Sequence, residues 1–405
     1  MTIKCEICGA GVHSIAKHLK DTHGAESAQP MSLADYRTKY PEAPLMSEAA
    51  KKKLEEKRKQ AEQAAASAAA AAPSTAPAAA TKTEDFSKVA FHEAFRFDPK
   101  VVKGALTKSG SPIYCTRDNR SDEYDYYIPK WNENYFLNPD LTKILMMGLE
   151  TRKPIFLFGH SGVGKSSVFK QVCAGLNRRM FRFQHTIDTE ESHIVGQWVV
   201  KKHIDDNGNA ISITEFEPGP LVLAMQNGWL YLADEMDRSP PSVLSAYQAV
   251  LEGEPLIVKN APEHLRVIKP HPMFAFAATG NTNGTGDQTG LYQATLTQDA
   301  ATIERFGIVA EVDYPPEKQE IAMIAAATGM TPADAGKIRQ FAHEIRTKAF
   351  PNQVSLTIGP RVAINIAQVS MMKGSTIDGV MYAYSNRLPE AEREAALGLA
   401  KRIFA

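Results

Sequence analysis

The sequence predicts an α/β protein built on a phosphate-binding loop, with a parallel sheet flanked by helices, an all-α C-terminal part and a small zinc-binding ββα-like segment on a flexible N-terminal linker. Three observations predict it. The apolar run Ile155 to Phe158 enters Gly159-x-x-x-x-Gly164-Lys165-Ser166, a second apolar run ends in Asp234-Glu235, and Cys5-x2-Cys8 is followed by His18 and His23.

At 405 residues the chain is long enough for two or three domains. Lys plus Arg equals Asp plus Glu, 46 against 46, so net charge nominates neither a nucleic acid nor a membrane as partner. With no long apolar run and no leader-like start, a cytoplasmic protein is expected, with no membrane partner. Four cysteines are too few for a disulfide framework; Cys173, on the helix after the loop, is expected to serve packing.

Along residues 1–45, two thiolates on a knuckle and two imidazoles one helical turn apart are tetrahedral zinc chemistry, with Cys5, Cys8, His18 and His23 as ligands. His13 is a competing imidazole, but it precedes the expected helix. So short a segment buries little, and zinc would supply most of its folding free energy. The spacing resembles the prokaryotic zinc finger of the Ros/MucR regulators, which also carry a segment like Met31-Ser-Leu-Ala-Asp-Tyr-Arg-Thr-Lys-Tyr40 after the last His. That resemblance implies DNA contact as one role for the finger, and protein docking as the other. Residues 46–83 then read as a charged helix followed by an Ala/Pro-rich tether, whose composition cannot offset the entropy of ordering. Residues 84–137 are an aromatic, acidic extension, in which Tyr124-Asp-Tyr-Tyr-Ile128 suggests a short strand or a clamp on the core domain.

The core is expected over 138–316. Asn138-Pro139-Asp140 opens a helix that runs to Glu150, because it supplies an N-cap, Pro at the first position and an early acid. The loop from Gly159 through His160, Ser161, Gly162, Val163 and Gly164 to Lys165, Ser166 and Ser167 turns backbone N–H groups toward a bound β-phosphate. Lys165 reaches the β- and γ-phosphates, Ser166 is a magnesium ligand, and the helix from Ser166 to Leu176 aims its positive end at the same anion. Met180 to Ile187 reads as the next strand. Two strand-like runs, 198–204 and 210–216, flank an Asn207-Gly208 turn and predict a hairpin. Leu221 to Asn227 is helical, and the strand from Trp229 ends in Asp234, placed to hold magnesium through water, and Glu235, placed to orient the attacking water.

From Asp234 to Glu252 the chain looks like the Walker B segment of the MoxR group of AAA+ ATPases. Val267 to Thr282 and Gly286 to Tyr292 look like the ATPase subunit of aerobic cobaltochelatase (CobS-like) within that group. The resemblance runs from about residue 95 to the C-terminus. It implies a homo-oligomer, a hexameric ring with ATP between protomers, and a von Willebrand factor A domain protein as partner. It implies Asn281 as sensor 1, Arg305 of Ile303-Glu-Arg-Phe306 as a finger acting on the neighbour's ATP, and Arg361 as a lid arginine reaching nucleotide in its own protomer. Arg238 matches the arginine of the group's Asp-Glu-x-x-Arg. The 198–216 hairpin and the stretch 254–268 lie where the group carries inserts facing the pore or upper surface. There Trp198, Lys201, Lys202 and His203 contact a partner, or else Trp198 packs on its own domain.

Residues 317–405 read as a helical lid, with helices over Glu317–Thr328, Pro332–Phe350 and Pro360–Met372 and two more to Phe404. The cofactors implied are ATP, Mg2+ and Zn2+. The function expected is ATP-driven remodelling of a partner protein. The alternatives are a finger-targeted DNA-associated ATPase, and the ATPase subunit of a metal chelatase.

Overall fold

The computed structural model describes residues 2–22, 33–41, scattered positions from 43 to 52, and 85–405 apart from 103, 205–209 and 288–289. It divides into two units, 1–80 and 81–405. His23, Met31 and nearly all of the charged helix and tether expected over 46–83 lie outside the described residues.

In the first unit β1 (Ile3–Lys4) pairs antiparallel with β2 (Gly11–Val12), followed by α1 (Ile15–Thr22) and α2 (Leu33–Lys39). Cys5, Ile15, Leu19 and Tyr36 form a small core, and the Tyr36 hydroxyl accepts the Glu6 N–H at 3.0 Å. Tyr36 belongs to the Tyr-Arg segment noted after the last His. So few buried side chains offset little conformational entropy, which leaves room for a metal to contribute.

The second unit opens with β3 (Phe86–Ala90) and β4 (Tyr114–Asp118), an antiparallel pair with Phe86 opposite Asp118. Tyr124 to Ile128 is a clamp, not a strand. Residues 125–127 make one 3-10 turn, and the Tyr124 and Tyr127 rings lie 5.3 and 4.9 Å from the Trp229 ring. Arg179 is buried and pairs with Asp118 at 3.2 Å, Asp122 at 3.1 Å and Asp125 at 2.5 Å. A buried guanidinium is tolerated only when paired, so Arg179 ties this acidic segment to the core.

Helix α3 (Pro139–Thr151) starts as its sequence dictates: the Asn138 side chain accepts from the N–H groups of Asp140 at 3.0 Å and Leu141 at 3.1 Å. The core strands are β5 (Ile155–Phe158), β6 (Met180–Gln184), β9 (Leu230–Asp234), β12 (Ala275–Gly280) and β13 (Ile308–Glu311), with α4 (Lys165–Gly175) after β5. Their order is β13-β5-β12-β9-β6, every pair parallel. Strands β9 and β12 are buried throughout, as strands covered on both faces must be. Strand β6 stops at Gln184, short of the expected Ile187, because Asp234, its partner there, ends β9.

The hairpin β7 (Gly196–Ile204) and β8 (Ala210–Pro218) forms with Trp198 opposite Phe216; its Asn207-Gly208 turn lies outside the described residues. α5 (Pro220–Asn227) follows it. The stretch 254–268 holds a small ladder of β10 (Leu256–Ile257) and β11 (Val267–Ile268). Trp198 donates from Nε1 to the Asn260 carbonyl at 2.8 Å and meets Phe216 edge-on, so its ring is engaged within its own unit although half exposed.

Helix α6 (Ala300–Glu304) precedes β13, and five helices follow: α7 (Glu317–Thr328), α8 (Pro332–Glu344), α9 (Pro360–Lys373), α10 (Thr376–Ala383) and α11 (Glu390–Phe404). The second stops at Glu344, short of the expected Phe350, and one wide π-type turn, Ile345–Ala349, completes it. Phe350 precedes Pro351, whose ring disfavours helical backbone before it. Within that turn Arg346 forks onto the wholly buried Glu320 at 2.8 and 2.6 Å and donates from Nε to the Ile358 carbonyl at 2.6 Å. Replacing Glu320 with Ala strands a buried guanidinium; we expect about 3–5 kcal/mol of lost stability for this helical cluster, read from denaturant unfolding.

Candidate functional site

The loop after β5 is shaped by two glycines. Gly159 has φ 142° and faces the Val312 carbonyl, where a Cβ would collide; Gly164 has φ 101° and faces the Tyr135 hydroxyl, which donates to its carbonyl at 3.2 Å. Between them Val163 is buried, while Ser166 and Ser167 sit in the first turn of α4. The Lys165 ammonium donates to the carbonyls of Gly159 at 2.7 Å and His160 at 2.9 Å, and to Asn281 Oδ1 at 3.1 Å. Burial pushes its pKa down to about 8.

Parallel pairing brings the ends of β5, β9, β12 and β6 to one edge. There Asp234, 2% exposed, is fully engaged. Its Oδ1 accepts the hydroxyls of Ser166 at 2.5 Å and of Thr279, and its Oδ2 accepts Arg182 Nε at 2.5 Å and pairs with Arg182 Nη2. Burial alone would raise this carboxyl, but the two hydroxyls and the Arg182 charge carry it below the usual range. Glu235 has left-handed backbone, φ 54°, an uncommon conformation for a side-chain-bearing residue. Its carboxylate takes Gln184 Nε2 at 3.2 Å and Arg238 Nη1 at 2.9 Å, and its N–H donates to Thr279 Oγ1 at 3.0 Å.

Asn281, just past β12, therefore faces Lys165, with the amide oxygen turned inward because an ammonium can only donate. Arg361 lies in the first turn of α9, its Cβ against Gly162, and Gly359 packs on the Ser161 carbonyl. Arg305 is not brought to the loop: its Nε pairs with Glu252 at 2.6 Å and its Nη1 donates to the Ala301 carbonyl at 2.6 Å.

Several contacts around this edge escape sequence reasoning. His160 stacks on Tyr314 at 5.8 Å, and burial together with the Lys165 charge lowers its pKa. The Tyr292 hydroxyl accepts the Ser161 N–H at 3.1 Å, which leaves its own proton for His160 Nδ1 at 3.0 Å. Arg182 had a usable signal, a charge inside an otherwise apolar strand; Thr279 and Tyr292 lay in stretches that carried a resemblance but assigned them no role. Asp237 closes the run Asp-Glu-Met-Asp, and its buried side chain accepts from Asn281 N at 2.7 Å and Thr282 N at 2.9 Å. Burial raises its pKa against those hydrogen bonds.

Residues 154–298, the stretch that carries this geometry, match the AAA domain of the dynein-related subfamily. The chain thus carries an AAA domain, the core of an ATP hydrolase. It is 29% identical to aerobic cobaltochelatase subunit CobS of Sinorhizobium sp over 69% of its own length and 84% of that protein. It is 23% identical to gas vesicle ATPase GvpN2 of Halobacterium salinarum, covering 67% of this chain and 80% of the relative. Midasin of Dictyostelium discoideum is 26% identical over 51% of this chain, a stretch amounting to 3% of that protein. These likenesses support an ATP hydrolase of the MoxR-like AAA+ type. Among the described residues no helix is long and apolar enough to cross a membrane.

In the first unit the ligand atoms of Cys5, Cys8 and His18 all lie within 4.8 Å of one another, and Cys8 Sγ is 3.1 Å from His18 Nε2. Zinc bonds of about 2.0–2.3 Å in a tetrahedron put ligand atoms roughly 3.3–3.8 Å apart, so this donor set fits the metal. His13 is engaged elsewhere, its Nδ1 2.9 Å from Ser47 Oγ.

Thr279 is wholly buried and joins the two Walker B acids through one hydroxyl. Thr279→Val keeps the shape and strands the Glu235 N–H; we expect about 1–3 kcal/mol of lost stability in denaturant titration.

Proposed function

We propose that this AAA+ ATPase works as a ring in which each ATP is bound by one protomer and attacked with the help of the next, turnover driving the remodelling of a partner protein. The observation that carries the reading is the placement of Arg305. Pinned to Glu252 and Ala301 and partly exposed, it pairs away from its own protomer's loop, which supports a role for its guanidinium at a neighbour's phosphate.

Within one protomer the geometry above supports the following roles. Lys165 already sits among oxygens and would exchange carbonyl partners for phosphate oxygens. Asn281 and Glu235, on adjacent strand ends, would hold and polarise the attacking water. Ser166 and Asp234 are hard oxygen donors and suit Mg2+, with the Ser166 oxygen as direct ligand and Asp234 holding metal-bound water. When bound, the ion would neutralise charge on the β- and γ-phosphates. Arg182 now occupies the Asp234 oxygen that such water would use, so its side chain must yield or share. Arg361, on the first turn of α9 beside Gly162, would report nucleotide to the helical part.

The partner favoured is a von Willebrand factor A domain protein, as the MoxR-like character implies, and the hairpin β7–β8 is a surface for it: Val200 and Ile204 are 72% and 70% exposed on the face that carries Trp198. The likeness to CobS supports a second reading, service as the ATPase subunit of a metal chelatase. Zinc held by Cys5, Cys8, His18 and His23 would fold the N-terminal unit as a targeting module, for DNA or for protein.

Two experiments test this. Glu235→Gln should bind ATP yet turn over at least about a hundredfold more slowly. Lys165→Ala and Arg305→Ala should each be inactive alone and regain turnover when mixed, since the first lends its arginine to the second's nucleotide; a mixture as inactive as its components refutes the shared site. For the finger, Cys5→Ala should lose about one equivalent of zinc per full-length chain by colorimetric metal assay, and unchanged zinc content removes the metal assignment.

A further inference from the structure

Asp237 is a buried carboxylate that the mechanism above does not use. Its Oδ2 collects the N–H groups of Asn281 and Thr282 at 2.7 and 2.9 Å and the Thr282 hydroxyl at 3.2 Å, all from the turn that leaves β12. Its Oδ1 has no hydrogen-bond partner among the described residues. A charge in such a place costs several kcal/mol unless its interactions return as much, and hydrogen bonds to an ionised acceptor are roughly twice as strong as neutral ones. Three donors converge on one oxygen, so the backbone of this turn is fixed at two consecutive residues. The Asp237 carbonyl in turn accepts Leu296 N at 2.7 Å and Gln298 Nε2 at 3.2 Å. Gln298 directly precedes Asp299, the N-cap of α6, whose C-terminal end carries Arg305.

We infer that Asp237 is the positioning residue for Asn281: its carboxylate clamps the turn after β12 so that the Asn281 amide oxygen faces Lys165 and the reacting phosphate. The inference rests on the reading in which Asn281 acts on ATP. Without the clamp two partly buried N–H groups lose their acceptor and the turn can relax. A displacement of an ångström at an amide that must meet both an ammonium and a water is enough to slow a reaction that depends on alignment. Asp237 touches neither nucleotide nor water in this scheme and acts through Asn281. Its backbone bonds also join that amide to the segment leading to Arg305, so one residue braces a group acting in its own protomer and the approach to a group acting on the next.

The test is a double-mutant cycle on the full-length protein with Asp237→Ala and Asn281→Ala, reading kcat by phosphate release and nucleotide affinity with a fluorescent ATP analogue. We expect Asp237→Ala to lower kcat about tenfold or more while the nucleotide Kd stays within about threefold, because the loop that binds phosphate is untouched. The double variant should be no slower than Asn281→Ala alone, since both changes remove one unit. Asp237→Asn, whose amide oxygen can accept the same donors, should recover part of the rate, and it carries the cycle if the alanine variant fails to fold. A slow Asn281→Ala with multiplicative losses in the double variant overturns the positioning role alone. Normal turnover in Asn281→Ala removes the role of Asn281, and this inference with it.

Discussion

Everything at the nucleotide edge depends on one carboxylate. Asp234 sits at the end of β9, out of water, and is held from three sides: by Ser166 in the first turn of α4, by Thr279 on β12 and by Arg182 on β6. A lone buried carboxylate would be too costly to keep ionised. These contacts keep it charged, and they also fix the spacing between the loop, the two central strands and the outer one. The parallel order β13-β5-β12-β9-β6 is what makes this possible, because every strand then ends at the same edge and delivers its last residue to one place.

Around that carboxylate Glu235 and Lys165 both carry partners. Glu235 is held by Gln184 and Arg238 in a left-handed backbone that its neighbours must enforce, and such outliers gather at functional sites. Lys165 is held by carbonyls and by Asn281. The site is thus organised before any ligand arrives, which lowers the reorganisation demanded of the reaction. From the loop a short path of contacts runs to the helical part: His160 stacks on Tyr314, the Arg346 guanidinium lies 3.9 Å from the Tyr314 ring, and Arg346 forks onto Glu320 of α7.

The residues most legible in the sequence were those whose neighbours along the chain carry the signal. Gly159 to Ser166, Asp234-Glu235 and the cap at Asn138 are local patterns, and the structure forms the elements they announce. Trp198 shows the limit. Its hairpin was readable from the turn and the alternation of its strands, but whether the indole faced a partner or its own unit depended on Asn260, sixty-two residues away. Tyr124 to Ile128 shows another: an aromatic, acidic stretch is equally a strand or a clamp until Arg179 and Trp229 are placed beside it.

Taken alone, the sequence determined the kind of protein this is, because a phosphate loop, an acid pair after an apolar strand and a Cys-Cys-His set are written in contiguous residues whose spacing is set by local backbone geometry. Only the tertiary structure decided how the charges are balanced. It placed Arg182 on Asp234, Asp237 under Asn281 and Tyr314 against His160, and it set Arg305 beside Glu252, away from its own loop. These pairings join residues far apart in the chain, and sheet order, with the burial it imposes, brings them within hydrogen-bonding reach, a condition no local pattern encodes.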